Sequence, residues 1–435
     1  MTRLWKSVRQ ASALELVLLL VLGALLLAGA AAAVTDLIPP PTPLDFSSYY
    51  LAAQAVAAGQ SPYDSQVTAN LAAGQGGIPV VAYLYPPIFA VLLRPLAGLP
   101  LYQASLVWLG LNLLWLALAV VCIARLAQAP NRLIGPMVVV ALLTPAVHHT
   151  LELGQVNILM LLLISAGALA IGRESRGAAW EIGGGGLLAT ASCIKLFPAA
   201  LLLVLIAHRR LPAMIGFIGG ALLLALAGVA WGGGVAEMAA WATGVLPRYA
   251  GGFATPNNQS VEAAISRLFS PVTVAPIRIG AASAEVTLAP LVANAGLGIA
   301  LGYAAGGIVV IAGGWALLRR WPIGRTTEID STEYALLLAT ILLALPLVWY
   351  HYYTLLLLAY GAGIPHMRRD SQARLLFILS GIAVALQRYW RLTANLGSPL
   401  LVSFGTIGVG LLWLALARVG ADRDAPLPGH IDPRP

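Results

Sequence analysis

The feature that most constrains this chain is a succession of apolar runs, most of them near the ~20 residues a helix needs to cross the hydrocarbon core of a bilayer. They lie near residues 12–34, 101–124, 134–150, 155–172, 212–231, 291–318, 334–348, 354–365, 374–390 and 398–418. Only 10% of the 435 residues are charged and the mean hydropathy is +0.85, whereas soluble domains carry ~25% charged residues. A soluble globular enzyme, a disordered chain and a coiled coil are thereby excluded. The pattern predicts an all-α polytopic membrane protein: one domain over residues 1–420, followed by a polar, Pro-containing cytoplasmic tail at 421–435. The stretch 178–207 is interrupted at Lys195 and Pro198. It reads as two short helices meeting there, and helices broken within a membrane line cavities, because lipid cannot satisfy the freed backbone groups. With that pair the count comes to about twelve helices.

Basic residues orient the bundle. Lys and Arg collect on the cytoplasmic side of membrane proteins. Arg3, Lys6, Arg9, Arg125, Arg132, Arg173, Arg176, Arg209, Arg210, Arg319, Arg320, Arg325, Arg368, Arg369, Arg374, Arg418 and Arg423 fall in one consistent set of loops, with both termini inside. The net charge of +8 is explained in this way. No basic run with interleaved aromatics suggests nucleic acid. The apolar run at the N-terminus, about Ala11 to Val34, exceeds a signal h-region and reads as an uncleaved first helix. Tyr85 to Pro100 is apolar but short and carries Arg94, so it is placed on the outer face as a juxtamembrane helix. Two long outer loops result, about 35–100 and 232–290, and loops of that size usually serve a site. Cys122 and Cys193 sit in apolar segments and read as small core residues.

A few polar residues stand out against this background. Asp45 follows the first helix in Pro43-Leu44-Asp45-Phe46-Ser47-Ser48-Tyr49-Tyr50. A partly desolvated carboxylate at a membrane boundary is raised in basicity and suits a general base; a helix N-cap is the equal alternative. Asp64, after Ser61-Pro62-Tyr63, reads first as a turn residue. Glu152, Gln155 and Asn157 sit at the join of two helices, where they suit either sugar hydroxyls or capping. The chain has two lysines, Lys6 and Lys195. Lys195 lies inside an apolar segment, which marks a ligand path with phosphate as a natural partner, or else a side chain that snorkels to the interface. His351, within Trp349-Tyr350-His351-Tyr352-Tyr353, can donate to a phosphate, although an aromatic belt explains its neighbours. Asn258, Gln259 and Arg267 in the second long loop suit sugar or phosphate contacts. His148 and His149 form no HExxH pattern, and no Walker, Rossmann or G-x-S-x-G motif stands in a plausible context. An outward-facing enzyme has no ready supply of nucleotide sugars, and a lipid-linked sugar phosphate held in the bilayer would solve that problem.

At these residues the chain resembles the integral-membrane glycosyltransferases of GT-C fold, and among them glycosyltransferase family 87. The matching pieces are Asp45-Phe46 with Tyr50, the run Ala55 to Asp64, Tyr85-Pro86-Pro87 with Phe89, Leu153 to Asn157, Lys195 to Pro198, Asn258-Gln259-Ser260, and Trp349 with His351. They occur in the family's order over about residues 40 to 355. The resemblance implies a GT-C bundle with juxtamembrane helices in the first outer loop, and inverting single-displacement transfer of mannose or an arabinofuranose-like pentose from a polyprenyl phosphate. It implies Asp45 as base, Lys195 and His351 on the departing phosphate, and sugar or acceptor contacts among Asp64, Tyr50, Glu152, Gln155, Asn157, Asn258, Gln259 and Arg267. No metal or cofactor is required, and the acceptor is a lipid or a glycan. Asp45 has no adjacent acid, which separates it from metal-dependent relatives. Membrane lipids surround the protein, a bacterial inner membrane suits its short loops, and the active site is expected on the periplasmic face. A transporter or flippase of a lipid-linked or anionic solute is the alternative, with Lys195 binding substrate at mid-membrane.

Overall fold

The computed structural model describes residues 12–37, 43–172, 177–249, 254–279, 282–321, 329–367 and 370–419. The tail 421–435 and the basic residues Arg3, Lys6, Arg9, Arg173, Arg176, Arg325, Arg368, Arg369 and Arg423 lie outside them.

The chain is a multi-pass helical membrane protein. Five helices are long and apolar enough to cross a bilayer: Ala13–Ala32 within α1 (Ala13–Leu37), then α5 (Leu101–Leu126), α11 (Leu211–Trp231), α14 (Ala295–Leu318) and the run Ser371–Ala394 that starts with α17 (Ser371–Leu386). A sixth span arises if α6 (Ile134–Leu143) and α7 (Pro145–Leu153), bent by 64°, count as one. The count of twelve is therefore not confirmed among the described residues. The other expected spans are shorter: α8 (Asn157–Ile171), α9 (Ala178–Ile194), α10 (Leu202–Ala207), α15 (Ser331–Ala344), α16 (Leu356–Gly363) and α19 (Phe404–Val419). Short and bent helices are tolerated at membrane depth where protein, not lipid, surrounds them. Buried α15 residues such as Tyr334, Leu336, Leu338 and Leu342 fit that account, while α14 turns Ile308, Val310 and Ile311 outward.

Glycine sets the tightest packing. A Cβ on Gly185 would sit 1.9 Å from the Ala213 carbonyl oxygen, and one on Gly216 would sit 2.0 Å from that of Ile182. The bare backbones of α9 and α11 therefore touch, as small residues permit between membrane helices.

The two long loops are built, not slack. The first holds α2 (Leu44–Ala57), α3 (Ser65–Gly74) and α4 (Pro87–Ala97). α4 has 11 residues, five of them buried. α2 is buried along almost its whole length, so it belongs to the core rather than to the surface. The second loop holds α12 (Gly234–Ala240), α13 (Val261–Phe269) and an antiparallel hairpin, β1 (Val272–Ile279) with β2 (Ala282–Leu288). The hairpin is a small addition to an otherwise helical membrane protein. Val272, Val274 and Leu288 pack with Ala394, the last residue of α18 (Trp390–Ala394), and with Val402, which rewards β-branched residues on a pleated face. Ser61 Oγ donates to Glu237 Oε2 at 2.6 Å and the Trp241 indole to the Leu84 carbonyl at 3.1 Å, so the two loops meet.

Among the described residues, four of the arginines assigned to one face make their contacts near helix ends. Arg374 binds Glu15 at 2.8 Å, Arg210 binds Glu181 at 3.1 Å, Arg418 binds Asp370, and Arg320 donates to the carbonyls of Leu416 and Ala417. These residues mark the starts of α1, α9 and α17 and the ends of α10, α14 and α19, which lie together at one end of the bundle.

Candidate active site

Asp45 lies in the first turn of α2, but it does not cap the helix. Pro43 occupies the N-cap position and no side chain closes it. The Asp45 carboxylate instead accepts a hydrogen bond from the Gln155 side-chain amide at 2.7 Å. The amide's oxygen is fixed in turn by the hydroxyls of Tyr49 at 3.0 Å and Tyr85 at 3.1 Å. Those two hydroxyls are 2.8 Å apart. The amide group thus has one orientation, with its N–H turned to the carboxylate. Burial pushes the Asp45 pKa above the usual carboxylate range, opposed by the Gln155 hydrogen bond and by the nearby charges of Lys195 and His149. A carboxylate held this way keeps a proton-accepting oxygen with raised basicity.

Gln155 reaches Asp45 because the chain turns sharply just before it. Gly154 ends α7 with φ of 66°, a left-handed conformation natural to glycine. A Cβ there would lie 2.6 Å from the Phe46 Cβ and 2.9 Å from that of Pro43. The Trp108 indole donates to the Gly154 carbonyl at 2.8 Å, and Phe46 stacks on that indole at 5.3 Å. The corner between α7 and α8 and the start of α2 are therefore one packed unit.

Lys195 stands at the helix break. α9 ends at Ile194, Lys195 is extended (φ −132°, ψ 132°), and a 3₁₀ turn, Phe197–Leu201, leads into α10. Its side chain is buried, donates to Asn157 Oδ1 at 2.7 Å, and lies over the Tyr352 ring, 3.9 Å from its centre. Among the described residues no carboxylate forms an ion pair with it. Asn157 uses its amide nitrogen on the His351 carbonyl at 3.0 Å, so one side chain ties the helix break to the 3₁₀ segment Tyr350–Leu355. The His351 ring is buried, and neither ring nitrogen has a hydrogen-bond partner. It lies 5.8 Å from the His149 ring and 5.2 Å from that of Tyr352. Burial first, then Lys195 and His149, holds its pKa well below the usual histidine value.

The remaining expected residues separate. Glu152 lies beside the site, 3.3 Å from both His149 and Arg388. Asp64 is exposed and caps α3, accepting from the backbone of Gln66 at 2.7 Å and of Val67 at 3.4 Å. Tyr50 donates to the Leu99 carbonyl at 2.7 Å, bracing α2. Asn258, Gln259 and Arg267 are buried completely and engaged by the chain itself. Asn258 accepts from the Val348 amide at 2.9 Å and donates to the Pro346 carbonyl at 2.8 Å. Gln259 donates to the carbonyls of Pro256 and Val402 at 2.6 and 2.9 Å. Arg267 holds the carbonyls of Thr255 and Asn258 at 2.8 and 2.7 Å. Asn258 ties the second loop to the Pro346–Trp349 segment and Gln259 ties it to Val402, while Arg267 closes on carbonyls of its own loop and on the Ser403 hydroxyl.

Sequence reasoning did not single out Tyr49, Tyr352, His149 as a neighbour of His351, or Arg388. The aromatic density around residues 46–50 and 349–353 was the available signal. Among the described residues no three His, Cys, Asp or Glu side chains gather as a metal site.

The family model for glycosyltransferase family 87 matches residues 83–348, more than half of the chain. The matched stretch contains Tyr85, Gln155, Asn157 and Lys195; Asp45 and His351 lie outside it and join the site through hydrogen bonds to residues within. No curated protein and no solved structure matches the chain.

Proposed function

We propose a reaction for this chain, which belongs to glycosyltransferase family 87 and is a membrane glycosyltransferase: it moves a mannose or an arabinofuranose-like pentose from a polyprenyl-phosphate donor to a lipid or glycan acceptor, on the periplasmic face of a bacterial inner membrane. Asp45 takes the proton of the acceptor hydroxyl as that oxygen attacks the anomeric carbon. The bond to the phosphate breaks in the same displacement and the configuration inverts. Lys195 supplies the positive charge, and His351 an N–H, for the departing polyprenyl phosphate.

The observation that carries this reading is the division of labour at one corner. A basic carboxylate fixed by Gln155 lies within the field of a buried ammonium that has no carboxylate partner, beside an imidazole with two unpaired nitrogens. Proton acceptance and anion binding are what a lipid-phosphate sugar transfer asks of a protein. The test is turnover with purified protein and a panel of polyprenyl-phosphate sugars, mannose and arabinofuranose first. Asp45→Asn should fold normally and lose about 10²- to 10⁴-fold in turnover, the range for general base catalysis. Full activity in that variant would remove Asp45 from the mechanism.

A further inference from the structure

The buried ammonium of Lys195 is held by an oxygen and two rings. Asn157 Oδ1 takes one of its N–H groups at 2.7 Å. The centre of the Tyr352 ring is 3.9 Å away and that of the Tyr85 ring 5.7 Å. Among the described residues no carboxylate comes within ion-pair distance, and Asp45 acts on the ammonium at longer range.

Tyr352 is itself fixed in place. The Phe197 ring, two residues beyond Lys195, stacks on it with centroids 5.9 Å apart and planes 27° apart. On the other side in sequence, His351 gives its carbonyl to the Asn157 amide at 3.0 Å. The Tyr352 backbone N–H closes on the Trp349 carbonyl at 2.8 Å. The helix break therefore meets the ring through Phe197, and Asn157 ties both Lys195 and the segment that carries the ring.

A carboxylate and an aromatic face do different things to a buried ammonium. Both stabilise the charge. The carboxylate also cancels it, and an anionic ligand must then compete with that carboxylate. The ring attracts the cation through its quadrupole and carries no net charge, so the positive charge stays available to an incoming anion. An ammonium has three N–H groups. Asn157 uses one and the ring faces the cation from one side, which leaves an N–H for a phosphate oxygen.

We propose that Tyr352 is the positioning residue of the phosphate-binding cation: its ring stands where a counterion would, holding Lys195 charged and in place without neutralising it. This rests on the reading of Lys195 as the group that meets the donor phosphate, and adds the residue that keeps it ready.

The test measures binding of a polyprenyl monophosphate without sugar to the full-length protein by native mass spectrometry, per folded molecule, with the thermal midpoint of each variant recorded alongside. Lys195→Met should weaken binding about tenfold or more. Tyr352→Leu removes the ring and should weaken it about fivefold or more, while Tyr352→Phe restores the ring and should bind within about twofold of the unaltered protein. Tyr352→Glu supplies a counterion. It should bind about fivefold or more weakly than the unaltered protein, with a thermal midpoint no lower than that of the leucine variant. A tyrosine that only packs would leave binding per folded molecule unchanged throughout. The proposal is overturned if Tyr352→Leu or Tyr352→Glu binds as tightly as the unaltered protein while Lys195→Met does not, or if Tyr352→Phe loses as much as Tyr352→Leu. Loss of the fold in both the leucine and glutamate variants would mark the ring as structural and overturn it as well. Normal binding by Lys195→Met would instead remove the phosphate reading of Lys195, and the proposal with it.

Discussion

Two polar clusters lie at opposite ends of α9, and they differ in how fully their charged groups are paired within the chain. At the start of the helix, Glu181 is closed by Arg210 at 3.1 Å, and nearby His208 meets Glu333 at 2.7 Å. All four side chains are buried. At the other end Lys195 has a neutral amide and an aromatic face for company, and His351 has two unpaired nitrogens. Buried charge without a partner is costly, so a protein keeps it where a ligand will supply the missing group. Residue type does not tell the two clusters apart, since both contain a cation, a histidine and a carboxylate. Their pairing does.

Breaking the closed cluster should give the largest effect on stability. Arg210→Ala leaves Glu181 buried without its cation and should cost about 3–5 kcal/mol in equilibrium unfolding, with turnover per folded molecule unchanged. Lost turnover at full stability would place that cluster in the reaction. The mirror experiment is Lys195→Met. Turnover should fall about 10²- to 10³-fold, as when a preorganised electrostatic donor is removed. Stability should stay within about 1 kcal/mol, since an unpaired ammonium and one hydrogen bond leave together. A large stability loss with normal turnover would make Lys195 a structural residue.

A smaller effect sharpens the role of the carboxylate. Gln155 donates to the charged form of Asp45, which favours ionisation and opposes the upward push of burial. In Gln155→Leu the pKa should rise further, so the acid limb of kcat/KM should move to higher pH than in the unaltered protein. An unmoved or downward-shifted limb would mean that Asp45 is not the titrating base. Smallest of all, Asp64→Ala removes the cap of α3 and should cost about 1 kcal/mol with turnover retained. Asp64 serves the fold and lies outside the comparison.

The same contrast explains how much could be read without coordinates. The break at Lys195 was legible because an ammonium and a proline interrupt an apolar run, and neither suits a continuous membrane helix. Asp45 was legible as an acid at a boundary, but base and cap were equal from position alone, because both need a carboxylate at the start of a helix. The structure sets the cap aside: Pro43 holds that position, and the carboxylate meets a side chain 110 residues away. Asn258, Gln259 and Arg267 looked like ligand contacts since polar residues in long loops often are. Asn258 and Gln259 bond to the carbonyls of Pro346 and Val402, and Arg267 to carbonyls of its own loop and to Ser403; sequence carries no signal for that. The hairpin at 272–288 was hidden for a different reason: it is short, and its apolar residues pack on a segment more than 100 positions later.

Sequence by itself determined the solvent of this protein, its helical character, and the few polar residues that an apolar chain retains. These are local matters, set by hydropathy and by the cost of a charge in lipid. Tertiary structure decided which of those residues share a corner, which are already satisfied, and which still lack a partner. Hydrogen-bond partnership depends on distances of about 3 Å between segments far apart in the chain, and only packing fixes those.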